Sequence, residues 1–248
     1  MSKCLIVTGG GRGIGAEVSR KAAKQGYSVC VNFHRDQTSA QKLVRELEEN
    51  GANALAYQAD VSQEEEVVAL FQTVEKHLGT PEALVNNAGI LDLQTRVDGM
   101  NAERIQRIFA VNVTGSFLCA REAVKRMSTK YGGKGGSIVN LSSGAAKYGS
   151  PGEYVDYAAS KAAIDTLTIG LAKEVAEEGI RVNAVRPGFI DTEIHQSGGE
   201  PDRMEWVRPL VPMKRVGQAE EVADAIMWLL SDKASYTTGT ILDVSGGR

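Results

Sequence analysis

Cysteine is scarce. Cys4, Cys30 and Cys119 are odd in number, far apart and set in apolar runs, which excludes a disulfide framework and a thiolate metal cluster and points to buried thiols in a reducing compartment. Proline is scarce too, with six in 248 residues, and no Pro- or Ser-rich linker divides the chain, so a single domain over residues 1–248 is expected. An excess of positive charge is missing: 28 Lys and Arg face 31 Asp and Glu, a net charge of −3. Without a broad basic field, nucleic acid and anionic membrane surfaces are excluded as partners. No stretch approaches the ~18 apolar residues of a membrane span. The start, MSKCLIVTGG, has no long apolar leader segment, and a cytoplasmic location is the expectation. His34, His77 and His195 are scattered and neither HExxH nor GxSxG occurs, so metal hydrolysis and Ser-His-Asp chemistry lack support and no metal site is expected.

Glycine is plentiful. Of 27 glycines, five stand at positions 9, 10, 11, 13 and 15, directly after the apolar run Cys4-Leu5-Ile6-Val7-Thr8. A short apolar run ended by glycine and followed by helical periodicity predicts buried strand, turn, helix. The same alternation repeats, with strands at Ser28–Phe33, Ala54–Ala59, Ala83–Asn86, Ser137–Leu141, Arg181–Val185 and Thr240–Val244. Between them helical patterns run over Ser39–Asn50, Glu64–Leu78, Ala102–Met127, Tyr157–Glu178 and Ala219–Leu230. Strands alternating with helices require right-handed crossovers, which predicts a doubly wound α/β Rossmann fold: a parallel sheet of about seven strands with helices on both faces. Such folds hold ligands beyond the carboxyl ends of the strands, so the residues following each strand carry the functional reading.

Thr8-Gly9-Gly10-Gly11-Arg12-Gly13-Ile14-Gly15 follows the first strand. Glycines here permit a tight turn and let backbone N–H groups approach a pyrophosphate at the positive end of the helix dipole. Tyr157 and Lys161 stand four apart within one helical pattern, so their side chains share a face. A tyrosine titrates near ~10, and an adjacent ammonium would favour its phenolate and make it a usable acid/base.

Three residues separate Gly9 from Gly13 and one separates Gly13 from Gly15, unlike the usual GxGxxG spacing. That pattern, with Asp60-Val61, Asn86-Asn87-Ala88-Gly89, Asn112, Ser142-Ser143, Tyr157-Ala158-Ala159-Ser160-Lys161 and Pro187-Gly188 in order along the whole chain, resembles the short-chain dehydrogenase/reductase family. Within it, Pro-Gly-Glu-Tyr-Val-Asp-Tyr at 151–157 resembles glucose 1-dehydrogenase-like members, and the general plan resembles 3-oxoacyl carrier-protein reductases. The resemblance implies reversible hydride transfer between a nicotinamide and a carbonyl or alcohol. It implies Tyr157 as general acid/base, Lys161 lowering the tyrosine pKa and holding the nicotinamide ribose, and Asn112 supporting a proton relay through water. It assigns carbonyl polarisation to Ser143, with Ser142 as the alternative because the interval to Tyr157 is one residue longer than is common. It places Thr8, Gly9, Gly11, Arg12, Gly13, Ile14 and Gly15 at the glycine turn that holds the phosphates, Asp60, Val61 and Asn87 on the adenine and ribose side, Pro187, Gly188, Ile190 and Thr192 around the nicotinamide, and Ala88 and Gly89 among the other residues lining the cofactor.

NAD-preferring relatives carry an acid at the end of the second strand. Here the position eighteen residues after Gly15 is Phe33, which accepts no hydrogen bond. Arg12 and Arg35, with His34 beside it, are placed to meet a 2′-phosphate, and Asp36 is the counter-indication, so NADP(H) is favoured over NAD(H). The resemblance further implies a homotetramer packed through the helices at 102–127 and 157–178, and a substrate lid at about 189–213 with Gly198-Gly199 as hinge. Ile194, Met204, Trp206, Val207 and Leu210 of that lid are candidates for apolar substrate contact, Arg203 and Arg208 for anion contact. An acidic carrier protein would require a basic patch; Arg121, Lys125, Arg126, Lys130 and Lys134 form the one basic cluster, whose plainer role is to complement a helix C-terminus. A small carbonyl or alcohol is the expected partner, and a non-catalytic NADP(H)-binding sensor is the reading from a different class.

Overall fold

The computed structural model describes residues 2–192 and 203–248, the first two of the latter stretch by backbone alone. Strands β1 (Cys4–Val7), β2 (Ser28–Phe33), β3 (Ala54–Gln58), β4 (Pro81–Asn86), β5 (Gly136–Leu141), β6 (Ile180–Pro187) and β9 (Ile241–Val244) form one sheet. Its order is β3-β2-β1-β4-β5-β6-β9 with every pairing parallel. The order reverses between β1 and β4, so the loops after those two strands diverge and open a crevice.

Every residue of β1 and β2 is buried, which is why the strands read as continuous apolar runs rather than as alternation. The side chains nonetheless divide between two cores. Leu5 and Val7 join α1 (Gly13–Lys24), α2 (Gln37–Glu49) and the helix Ala219–Leu230 on one face. Cys4 and Ile6 join α3 (Glu64–Leu78), α5 (Gly115–Met127) and α7 (Val155–Val175) on the other. All three thiols are free and buried, and burial pushes those of Cys4 and Cys119 up to about 12, so they behave as small apolar side chains.

The helix expected over 102–127 is interrupted. Ala102–Phe109 (α4) passes into a single π-helical turn, Ala110–Thr114, before α5 begins. The segment is rich in β-branched residues, which tolerate an α-helix poorly, and the Asn112 side chain is bonded elsewhere. Single π turns inside α-helices concentrate at functional positions. The helix expected over 157–178 instead begins at Val155 and ends as a 3₁₀ turn at Ala176–Glu178. Past β6 the chain is not one uniform connection: β7 (Ile190–Asp191) pairs in parallel with β8 (Gly217–Gln218), with a short helix, α8 (Arg203–Val207), between them. Another short helix, α6 (Ala145–Tyr148), follows β5, and Ala219–Leu230 becomes α9. The hinge expected at Gly198-Gly199, together with Ile194, lies outside the described residues.

Candidate active site

The glycine turn after β1 is tied to the end of β4. Thr8 Oγ1 accepts the backbone N–H groups of Asn87 and Ala88, both at 3.0 Å. The Asn87 carboxamide donates to the carbonyls of Thr8 and Gly9, both at 2.9 Å. Gly15 faces this junction so closely that a Cβ there would lie 2.6 Å from Asn87 Nδ2 and from the Gly9 carbonyl oxygen. Gly9 also holds a φ of +59°, a left-handed conformation that favours glycine. The first N–H groups of α1 have no intrahelical acceptors, as at any helix start, and together with the dipole they form an anion-binding edge. Thr192 approaches the turn from the other side, its Cγ2 3.4 Å from where a Gly13 Cβ would stand.

Next to the turn, Phe33 is buried and His34 and Arg35 are exposed. Among the described residues no carboxylate pairs with Arg35. Asp36 caps α2 by accepting the Ser39 N–H at 3.0 Å and pairs with Arg12 at 3.3 Å. The hydrogen bonds from Ser39 and the nearby Arg12 charge hold its carboxyl below the usual range. Asp60 turns to Ser62, accepting its N–H and hydroxyl, and Val61 is buried against α3 and α5.

On the far side of the crevice lies a cavity of about 390 Å³. Ser142, Ser143, Tyr157 and Lys161 all line it, as do Ile14, Asn87, Gly89, Pro187, Gly188, Ile190 and Thr192. Thr8, Gly9, Gly11, Arg12, Gly13, Gly15, Arg35, Asp60, Val61 and Ala88 lie outside that lining, in or beside the glycine turn and the ends of β2, β3 and β4. The two serines have different surroundings. Ser142 is buried and donates its hydroxyl to the Lys161 carbonyl at 3.1 Å, whereas Ser143 Oγ accepts the Ala145 N–H at 3.1 Å and lines the cavity together with Tyr157.

Lys161 is 4% exposed, and its Nζ donates to the Leu141 carbonyl at 2.7 Å. Nζ lies 5.7 Å from the centre of the Tyr157 ring. Burial pushes this lysine down to about 8, against an upward pull from Asp165. Burial also pushes Tyr157 above the usual tyrosine range, with the nearby Ser143 hydroxyl pulling the other way. A phenol shifted in that direction favours its neutral form, the one able to give a proton.

Asn112 is fully buried in the π turn. Its carboxamide clasps the Ile90 peptide, accepting the N–H at 2.8 Å and donating to the carbonyl at 2.9 Å, and it donates to Ser160 Oγ at 3.0 Å. A Cβ on Gly89 would stand 3.3 Å from Lys161 Nζ and 3.6 Å from Asn112 Oδ1. The lysine and the amide thus both stand beside Gly89, where a side chain would crowd the lysine tip.

Further out, Trp206 and Leu210 line the cavity while 45% and 58% exposed. Val207 instead is fully buried, Arg208 is exposed outside the lining, and the side chains of Arg203 and Met204 are outside the described residues. Tyr148, Phe189 and Arg248 complete the wall. No motif marks them, because they come together only where α6, the end of β6 and the end of β9 meet. In the basic cluster, Arg121, Lys125 and Arg126 all pair with the buried Glu122, and Arg121 and Arg126 also reach Glu64 and Glu75. Those charges are neutralised locally, which leaves only Lys130 and Lys134 of the basic cluster for an acidic carrier protein. None of the described helices is long and apolar enough to cross a membrane.

A family model described as enoyl-(acyl carrier protein) reductase matches residues 9–248. An uncharacterized oxidoreductase, YgfF, of Escherichia coli (strain K12) is 58% identical over 243 residues, 98% of each chain. Glucose 1-dehydrogenase 2 of Bacillus subtilis (strain 168) is 38% identical over 99% of this chain and 94% of its own length. 3beta-hydroxysteroid dehydrogenase 1 of Eggerthella lenta is 42% identical over 99% of this chain and 93% of its own length.

Proposed function

The chain belongs to the short-chain dehydrogenase/reductase family, and on that premise we propose that it is an NADP(H)-dependent oxidoreductase interconverting a carbonyl and its alcohol, with Tyr157 as general acid/base. The observation that carries this reading is the convergence of Ser143, Tyr157 and Lys161 on one cavity that also reaches Asn87, Gly89 and Thr192. The residues present suit a dinucleotide: a turn in which Gly15 leaves no room for a side chain, an open helix start, and a cationic Arg35 beside the buried Phe33. Gly9, Gly11, Gly13, Ile14 and Arg12 would hold the phosphates; Asp60, Val61 and Asn87 the adenine and ribose side; Pro187, Gly188, Ile190 and Thr192 the nicotinamide. Arg35 is the residue favouring a 2′-phosphate, and Asp36, engaged with Ser39 and Arg12, is occupied away from a ribose hydroxyl.

When bound, the nicotinamide supplies the hydride in reduction and accepts it in oxidation. Ser143 orients and polarises the substrate oxygen through its hydroxyl. Tyr157 donates the phenolic proton to that oxygen during reduction and recovers it in the reverse direction. The Lys161 ammonium stabilises the phenolate that remains, and Asn112, beside the same Gly89, supports resupply of the proton. Trp206 and Leu210, on the segment proposed as a lid, supply apolar contact to the substrate. We further propose a homotetramer through α4, α5 and α7, whose exposed Ile105, Phe117 and Ile169 offer apolar surface for it; a monomeric mass by light scattering at micromolar concentration would contradict that assembly.

The test is a panel of sugars, ketones, acyl thioesters and steroids, followed by NADPH oxidation or NADP⁺ reduction, with NAD(H) alongside. Turnover of at least one class with NADP(H) preferred is expected. Tight NADPH binding without turnover of any class would overturn the reading in favour of a sensor.

A further inference from the structure

The cavity contains a cation that the proton-transfer chemistry leaves unused. The Arg248 guanidinium lies between two rings, its central carbon 5.1 Å from the centre of Tyr148 and 4.6 Å from that of Phe189. All three residues line the cavity that Ser143 and Tyr157 share. The rings stabilise the charge through their faces but accept none of its N–H groups. Arg248 Nη1 is buried without a hydrogen-bond partner, and among the described residues no carboxylate pairs with this side chain, although Glu153 lies in the same lining. Buried donors without partners are rare in folded proteins because each forfeits its hydration. A guanidinium held by stacking, with Nη1 unsatisfied, suits a planar, two-oxygen anion.

The position of Arg248 is built rather than incidental. Its main chain is bracketed by Ser245, whose hydroxyl donates to the Arg248 main-chain oxygen at 2.7 Å and whose carbonyl accepts the Arg248 N–H at 3.4 Å. Ser245 itself packs so tightly on Gly188 that a Cβ on that glycine would stand 2.8 Å from Ser245 Cα. The arginine is thereby fixed to the same strand ends that form the floor of the cavity. The remaining lining is largely apolar, with Leu91, Trp206 and Leu210 facing the same space.

Resting on the function proposed above, we infer that the substrate is a carboxylate-bearing ketone or alcohol: the carboxylate pairs with Arg248, the apolar body lies against Leu91, Trp206 and Leu210, and the reacting oxygen meets Ser143 and Tyr157. Arg248 is a specificity residue, remote from the reacting atoms. It separates acids from their neutral esters, because an ester cannot accept the paired, charge-assisted hydrogen bonds.

The experiment uses matched pairs, levulinate and para-acetylbenzoate against their methyl esters, with NADPH and the full-length enzyme. Loss of a charged hydrogen-bond pair predicts that Arg248→Met raises KM for the acids roughly 10- to 100-fold, leaves kcat/KM for the esters within about twofold, and leaves KM for NADPH unchanged. The conservative variant Arg248→Lys restores part of the acid preference. Three results overturn the inference: equal or better use of the esters by the wild-type enzyme, parallel loss of acids and esters in Arg248→Met, or a higher KM for NADPH alone. If the broad panel yields no turnover at all, the function proposed above fails. Benzoate binding to the NADPH complex by calorimetry then decides this inference separately: binding lost in Arg248→Met upholds it, and identical binding in the two proteins overturns it.

Discussion

Lys161 offers a measurable consequence of placing an ammonium in the floor of an apolar cavity. The side chain is 4% exposed and burial pushes it down from an ordinary 10.5 to about 8. Below the lower value both folded and unfolded chains carry the charge, and the folded chain bears its full desolvation penalty. Between the two values the folded lysine is neutral while the unfolded one still holds its proton, so the unfolded state binds more protons and stability rises with pH. Each unit is equivalent to about 1.4 kcal/mol, and a gap of roughly 2.5 units amounts to about 3 kcal/mol across the window. Tyr27 and Tyr157, raised by burial, begin to act with the opposite sign near ~10, so the useful range ends slightly below that. The assay is urea denaturation of wild type and Lys161→Met from pH 7 upward, taking the difference between the two stability curves. Replacing the lysine also leaves the Leu141 carbonyl without its donor, but that offset is independent of pH. The difference should shift in favour of wild type by about 2 kcal/mol between pH ~8 and ~9.5. Parallel curves would mean that Lys161 keeps its proton throughout, and would refute the burial argument.

Three further outcomes follow from other parts of the site. Arg35→Ala should raise KM for NADPH by roughly 10-fold or more, the size of a charged hydrogen bond to phosphate, while kinetics with NADH stay unchanged; an equal effect on both cofactors would remove Arg35 from the 2′-phosphate. Gly15→Ala places a methyl 2.6 Å from Asn87 Nδ2 and the Gly9 carbonyl oxygen, and it should cost about 1–3 kcal/mol in urea denaturation while weakening NADPH binding by calorimetry. The Arg104–Asp156 pair, at 2.7 Å with side chains 10% and 2% exposed, joins α4 to the first turn of α7 beside Tyr157. Asp156→Ala strands the buried guanidinium and should cost about 3–5 kcal/mol of stability; a loss below about 1 kcal/mol would mean that water already screens the pair.

The sheet and its order of helices were legible because each buried strand is a short apolar run closed by glycine or by the start of a helix, as at Cys4–Val7 and Gly9. The residues that line the cavity were legible too, Asn87 and Ser143 from their places after strands and Tyr157 and Lys161 from their four-residue spacing on one helix. Other features depend on interactions that sequence spacing does not carry. The π turn at Asn112 exists because its carboxamide reaches across to the Ile90 peptide, twenty-two residues earlier in the chain. The choice between Ser142 and Ser143 is a matter of which hydroxyl turns inward to the Lys161 carbonyl, just past the end of β5. The basic cluster could be read as complementing a helix end, but its pairing with Glu64, Glu75 and Glu122 could not, since Glu64 and Glu75 approach it from another helix. Arg248 carried no signal at all, since its rings come from Tyr148 and Phe189, far away in sequence.

The central claim is that Tyr157 moves the proton while the cofactor moves the hydride. It is tested most directly by Tyr157→Phe, compared with wild type on the best carbonyl substrate from the panel at saturating NADPH. The account predicts a fall in kcat of roughly 10²- to 10⁴-fold, the usual contribution of a positioned acid, with the NADPH dissociation constant within about twofold of wild type because the glycine turn is untouched. A variant that retains wild-type kcat would contradict the account, whatever else the cavity binds.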